Sequence, residues 1–127
     1  MDSVLSRVES RLWADAGAPV PHLGLLRLEH VATKRNLHSH EIASAVTGQQ
    51  EVSAFGENGE GDANCNWRVH YEDAGGLMRL EHELTGHRLH SHELNYPDWG
   101  FEQQEVTCFE GVDENDLWRV QEVQMTM

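Results

Sequence analysis

The chain has 127 residues, 39% of them hydrophobic, which suits one domain with a single core and leaves too little apolar material for two. Its formal net charge of -13, from 22 acidic against nine basic residues, argues against nucleic acid and anionic membrane surfaces, which are bound through Lys and Arg. No apolar run approaches the ~18 residues that a membrane span needs, so a soluble chain with no direct membrane insertion is expected.

Met1-Asp2-Ser3-Val4 carries no basic segment followed by an apolar run, so no signal peptide is expected. The chain then reads either as cytoplasmic or as a segment of a longer protein. Val4, Leu5, Val8, Leu12 and Trp13 share one face at helical spacing, with Asp2 or Ser3 placed to cap the first turn. A short N-terminal amphipathic helix is the expectation. It ends at Ala16-Gly17-Ala18-Pro19-Val20-Pro21, where two prolines favour an extended linker. Residues 1–24 are therefore read as helix and linker, and residues 25–127 as the domain proper.

Residues 26–31 alternate Leu26, Leu28 and His30 against Arg27, Glu29 and Val31, a period of two that signals a strand. The polar stretch 32–36 reads as a turn, and Leu37-His38-Ser39-His40 as the returning strand of a hairpin. Residues 51–55 make a third strand. A glycine-rich acidic loop over 56–64 then leads to a fourth at Asn66-Trp67-Arg68-Val69-His70. The pattern restarts at Leu77-Met78-Arg79-Leu80. Leu37-His38-Ser39-His40-Glu41 matches Leu89-His90-Ser91-His92-Glu93 at an offset of 52, Gln49-Gln50-Glu51-Val52 matches Gln103-Gln104-Glu105-Val106 at 54, and Trp67-Arg68-Val69 matches Trp118-Arg119-Val120 at 51. The chain is an internal duplication, with repeats at 26–73 and 77–124.

Four short strands per repeat make an all-β fold and suggest a β-trefoil, a barrel built from three such units. Only two units are visible. Two lobes of a three-lobed barrel expose sheet edges, which invites self-association by strand pairing or coverage by the N-terminal helix. Cys65 and Cys108 fall at non-equivalent places in the repeats, so two free thiols are favoured over a disulfide, and the redox compartment stays open.

His38 and His40 flank Ser39, so on a strand both imidazoles point to one face, as do His90 and His92. Neutral imidazole donates and accepts, which suits sugar hydroxyls; it also ligates transition metals, and it serves equally as an internal fixing group. A Zn site wants three or four ligands, and no CxxC or HExxH supplies them, so no metal and no cofactor are expected. Asp62, Asn64, Asp113, Asn115 and Asp116 form acidic turns before each tryptophan, either solvated or placed to bind hydroxyls. Trp67 and Trp118 read as core. Trp99 and Tyr96 sit in an inserted polar loop, where an aromatic ring can stack on a sugar or fold back over its lobe. Gln49, Gln50, Gln103 and Gln104 precede a strand and read chiefly as groups satisfying the lobe corner. No nucleophile elbow, phosphate-cradling loop or Cys-His signature supports catalysis, and Cys108 reads as a packed thiol.

Leu-His-Ser-His, then Gln-Gln-Glu-Val, then a tryptophan before Arg-Val resembles the MIR motif shared by protein mannosyltransferases, inositol trisphosphate and ryanodine receptors, and the stromal cell-derived factor 2 family. The stretch Trp99-Gly100-Phe101-Glu102-Gln103-Gln104-Glu105-Val106-Thr107-Cys108 is similar to the last MIR motif of protein O-mannosyltransferases, and Glu51-Val52-Ser53-Ala54-Phe55-Gly56 to the middle one. The resemblance covers about residues 26–124. It implies a β-trefoil module without chemistry of its own, lying in the endoplasmic reticulum lumen beside a catalytic part and binding glycan or Ser/Thr-rich acceptor polypeptide. The ligand site is then expected at His38, His40, Asp62, Asn64, His90, His92, Trp99, Asn115 and Asp116. The alternatives are a scaffold or chaperone-accessory module that binds only proteins, and a metal-dependent enzyme that uses the histidines.

Overall fold

In the computed structural model, residues 12–14, 17–72 and 76–121 are described. They form eight strands: β1 (Leu25–Leu26), β2 (Glu29–His30), β3 (Arg35–Ala43), β4 (Gln50–Phe55), β5 (Trp67–Tyr71), β6 (Met78–His82), β7 (Arg88–Asn95) and β8 (Gln104–Phe109). All eight join one antiparallel sheet in the order β1-β5-β6-β7-β8-β4-β3-β2. Laid flat at about 4.8 Å per strand, its edges would lie roughly 34 Å apart. Leu26 and Glu29, however, belong to the two edge strands and are joined only by Arg27 and Leu28, which can span no more than about 11 Å. The sheet must therefore curl into a half-barrel.

That connection also changes the expected strand over residues 26–31. The run divides, Leu25 and Leu26 pairing with Arg68 and Trp67 of β5 while Glu29 and His30 pair with Asn36 and Arg35 of β3. The free sheet edges foreseen for a two-lobed fold shrink to these two short strands, each of two residues. Little edge is left for another copy to extend.

The helix expected at the N-terminus falls mainly on residues 1–11, which lie outside the described residues. Leu12 and Trp13, its last two apolar positions, are not helical, and no α-helix occurs among the described residues. The linker takes over their pairing instead: the Val20 amide donates to the Leu12 carbonyl at 2.7 Å, Trp13 bridges Pro19, and Ala14 and Gly17 turn the chain between them. The Tyr71 hydroxyl pins both arms, accepting from the Leu12 amide at 3.0 Å and donating to the Val20 carbonyl at 2.8 Å. Packing of Leu12 and Val20 on the sheet core thus overrides the helical spacing.

The duplication is visible in strand register. Leu37, His38 and Ser39 of β3 face Ala54, Ser53 and Val52 of β4, and the register then shifts before Ala43 faces Gln50. Leu89, His90 and Ser91 of β7 face Cys108, Thr107 and Val106 of β8, with the same shift before Asn95 faces Gln104. The bulge begins at the second histidine of each pair, which falls outside the regular register. The core gathers Trp67 and Val69 from β5, Met78 and Leu80 from β6, Leu89 from β7 and Cys108 from β8, inward-facing residues of four neighbouring strands. Trp67 is fully buried and Trp118 half-buried against the same cluster, and each indole N–H donates to the carbonyl of the leucine that opens the histidine motif: Leu37 at 3.0 Å and Leu89 at 2.9 Å.

Candidate functional site

Each unit carries, just before its tryptophan, a one-turn 3-10 helix, Ala63–Cys65 and Glu114–Asp116, entered through an aspartate. Asp62 and Asp113 have extended backbones at the N-cap, and their carboxylates accept the amide of Asn64 or Asn115 at 2.9 Å. The turn forms because Asx residues satisfy the first free amides of a helix. It presents the asparagine outward and folds the following residue inward against the first histidine of the strand motif.

That inward residue differs between the units. In the second, Asp116 is fully buried and its carboxylate lies 2.8 Å from His90 Nδ1, while its other oxygen accepts the Asp113 amide at 2.9 Å. In the first, the equivalent position is Cys65. His38 is 3% exposed, and neither of its ring nitrogens has a hydrogen-bond partner; Asp62 Oδ1 lies 3.4 Å from His38 Nε2 without bonding it. Both imidazoles lie against a phenyl ring, His38 on Phe55 at 4.6 Å and His90 on Phe109 at 4.5 Å.

The second histidine of each pair meets a glutamate of the neighbouring strand. His40 Nε2 lies 2.5 Å from Glu51, and His92 Nε2 lies 2.7 Å from Glu105. His40 is half-exposed, whereas Glu105 is fully buried and bridges the units, accepting from Ser44 at 2.5 Å and Thr47 at 2.8 Å as well. Burial pushes the Glu105 carboxyl up, but these three hydrogen bonds outweigh it and hold the group below the usual carboxylate range. The motif serine donates to a backbone carbonyl of β4 or β8, Ser39 to Glu51 and Ser91 to Glu105, and accepts from Gln50 or Gln104. Gln49 takes the Thr107 hydroxyl at 2.7 Å. These glutamines therefore tie the lobe corner.

His82 opens the hairpin of the second unit, fully buried beside Trp67 and bonded to Thr85 and the Asn64 carbonyl. Burial, foremost, keeps its ring below the ordinary imidazole value, with His38 and His87 adding to the effect. Burial likewise pushes the Cys108 thiol up to about 12.

Of the residues expected at the site, His38, His40, Asp62 and Asn64 assemble in the first unit, and His90, His92, Asn115 and Asp116 in the second. Trp99 stands apart. It is 64% exposed at the tip of the β7–β8 hairpin and packs on Tyr96 at 5.4 Å. Gly100 is required there, since a Cβ would approach Tyr96 to 2.4 Å. Glu51, Glu105, Phe55, Phe109 and Cys65 belong to the clusters without having been singled out from sequence. The glutamates carried a signal, because they recur at the same offset as the glutamine pairs. Beside the first cluster, a depression of about 520 Å³ is lined by Arg35, Phe55, Glu57, Glu60 and Asp62. The exposed carboxylates and amides suit hydrogen-bonded recognition of hydroxyls. Donor sets compact enough for a cation occur at His38, Asp62 and Cys65, at His38, His40 and Glu51, and at His90, Asp113 and Asp116.

Comparison with known proteins places the chain as a whole. The chain is 38% identical over 125 residues to protein O-mannosyl-transferase 2 of Drosophila pseudoobscura pseudoobscura, matching 90% of this chain and 17% of that protein. It is 37% identical over 120 residues to human stromal cell-derived factor 2, matching 91% of this chain and 57% of that one. The crystal structure of an SDF2-like protein from Arabidopsis thaliana superposes with a TM-score of 0.74 at 33% identity, covering 79% of this chain and 59% of that one. The chain thus spans less than two thirds of the length of each of these relatives. A family model described as MIR domain matches residues 7–121, and the chain belongs to the MIR domain family.

Proposed function

We propose that the chain is a non-catalytic module that recognises glycans or Ser/Thr-rich acceptor polypeptides, as part of or accessory to protein O-mannosylation in the endoplasmic reticulum lumen. Its two units act as trefoil-type lobes within residues 25–127. The observation that carries this reading is the duplicated cradle: Asp62 with Asn64, and Asp113 with Asn115, each at the mouth of a turn backed by an imidazole that rests on a phenyl ring. Carboxylates and carboxamides offer paired acceptors and donors to vicinal hydroxyls. In the first unit, Phe55 is 44% exposed at the depression and offers an apolar face to a pyranose ring. His38, His90 and Asp116 are buried and set the cradle's shape, and the more open His40 supplies a further donor.

The reading is tested on two double variants, Asp62→Asn with Asp113→Asn and Asn64→Ala with Asn115→Ala. The asparagines retain the cap acceptor, so the circular dichroism spectrum should match wild type. Binding to a mannosylated Ser/Thr-rich peptide should fall about tenfold or more in each, the loss expected for one or two polar contacts. Wild-type affinity in both would refute the assignment.

A second reading, protein recognition without sugar, is favoured by one observation: Trp99 and Phe101 stand 64% and 83% exposed on one hairpin tip. In that case Trp99→Ala with Phe101→Ala removes binding, and the cradle variants do not.

A further inference from the structure

We infer that the first unit holds a divalent metal site of a kind suited to Zn²⁺, built from His38, Asp62 and Cys65. This goes beyond sugar or peptide recognition, and it runs against the absence of metal expected from sequence. The starting point is the exchange of one residue between units. Where Asp116 bonds His90, Cys65 stands beside His38, and the His38 ring keeps two unpartnered nitrogens at 3% exposure. A buried polar group left without a partner costs about 1–3 kcal/mol, so the arrangement calls for a ligand that the second unit does not need.

The geometry specifies which. Tetrahedral Zn²⁺ with bonds of about 2.0–2.3 Å holds its ligand atoms about 3.3–3.6 Å apart. His38 Nε2 lies 3.4 Å from Asp62 Oδ1, and Cys65 Sγ lies 3.8 Å from the same oxygen. All three donor atoms fall within 4.8 Å of one another, so the Cys65–Asp62 edge closes by a few tenths of an ångström and the Cys65–His38 edge by about 1.2 Å at most to form a coordination sphere. Imidazole, thiolate and carboxylate together select Zn²⁺ over Ca²⁺ or Mg²⁺, which demand oxygen ligands. The half-exposed Asp62 side chain opens the fourth position to water or a ligand atom. Asp62 and Cys65 are held in register by the single turn that joins them, and His38 by β3.

The neighbouring charges agree. Arg27 directs its guanidinium to the Asp62 backbone carbonyl at 3.2 Å and to the Asn66 side chain at 2.7 Å, leaving the Asp62 carboxylate free of it. Glu51 and His40, paired with each other at 2.5 Å, lie within 4.8 Å of the same imidazole and add negative charge beside the site. The second unit provides the internal control. Its cluster of His90, Asp113 and Asp116 is equally compact but already satisfied by its own hydrogen bonds, and it contains no thiol. On binding, the Cys65 S–H bond breaks, the proton passes to solvent and sulfur forms the metal bond, so one proton is released per ion.

The experiment uses the whole chain without a histidine tag and titrates it with Co²⁺ and then Zn²⁺. Expected are a thiolate-to-Co²⁺ charge-transfer band with tetrahedral d–d absorption, saturation near one equivalent and displacement by Zn²⁺. Cys65→Asp recreates the imidazole–carboxylate pair of the second unit, so it should fold, lose the thiolate band and bind Zn²⁺ at least about tenfold more weakly. Cys108→Ser should keep the wild-type spectrum. The proposal is overturned if wild type shows no thiolate band and retains no Zn²⁺ on equilibrium dialysis, or if Cys65→Asp matches wild type in spectrum and affinity. Asp62 is shared by the two sites, but Asn64→Ala with Asn115→Ala leaves all three metal ligands in place and Cys65→Asp leaves the cradle's Asp62 and Asn64, so the two readings fail distinguishably.

Discussion

His90 and Asp116 are held 2.8 Å apart at almost complete burial, and this pair anchors the last turn of the second unit to β7. Asp116→Ala would leave both the imidazole and the Asp113 amide without partners. The expected cost is about 3 kcal/mol, a drop in melting temperature of roughly 10 °C measured by thermal circular dichroism. A shift under about 2 °C would show the pair to be incidental.

Acidification should destabilise the chain in two separable steps. His82 is kept neutral in the fold, burial being the main cause, whereas the unfolded chain takes up a proton near the ordinary imidazole value of 6.5; its contribution is complete above that pH and declines as pH falls below it. Glu105 is held below its ordinary value of 4.5, so its contribution is complete above 4.5 and is lost as pH falls toward the folded value. Urea midpoints between pH 7.5 and pH 3 should therefore fall monotonically. His82→Gln flattens the upper step, and Glu105→Gln the lower. A midpoint that rises on acidification would contradict both assignments.

Lys34 turns the β2–β3 hairpin with φ at 60°, the place taken in the second unit by Gly86 at 73°. A left-handed lysine carries strain that glycine does not, partly offset by glycine's greater freedom when unfolded. Lys34→Gly should stabilise by about 0.5–1 kcal/mol, read as a higher urea midpoint at unchanged slope. Destabilisation would mean that the lysine side chain matters more than its backbone.

Cys65 and Cys108 are free and buried, and burial pushes the Cys108 thiol up to about 12. Native protein at pH 8 should leave Cys108 unalkylated after hours with iodoacetamide, and denatured protein should yield two reactive thiols. Rapid native modification of Cys108 would show that the sheet around it opens readily.

The repeat made much of the sheet legible. Residues spaced two apart with turn chemistry between them mark β3 to β6, and the matched Trp67 and Trp118 mark the equivalent returns. Helical spacing was misleading at Leu12 and Trp13, because the contacts that decide Leu12, the Tyr71 hydroxyl and Val20, lie far away in sequence or across a turn. At the site, serine and glutamine recur with their motif and serve structure. Which histidine is buried, and which acid meets it, depends on cross-strand register that spacing does not state. The exchange of Cys65 for Asp116 was open to inspection all along, since Asp62-Ala63-Asn64-Cys65 aligns with Asp113-Glu114-Asn115-Asp116. Only the unpartnered His38 ring gives that exchange its meaning.

The central claim is recognition by the duplicated cradle, and amide-resolved NMR titration of the isotopically labelled chain tests it most directly. With a mannosylated Ser/Thr-rich peptide, the account predicts saturable shifts centred on Asp62, Asn64, Asp113 and Asn115. Shifts confined to Trp99 and Phe101, or no saturable response to the glycosylated and unmodified peptides alike, would contradict it.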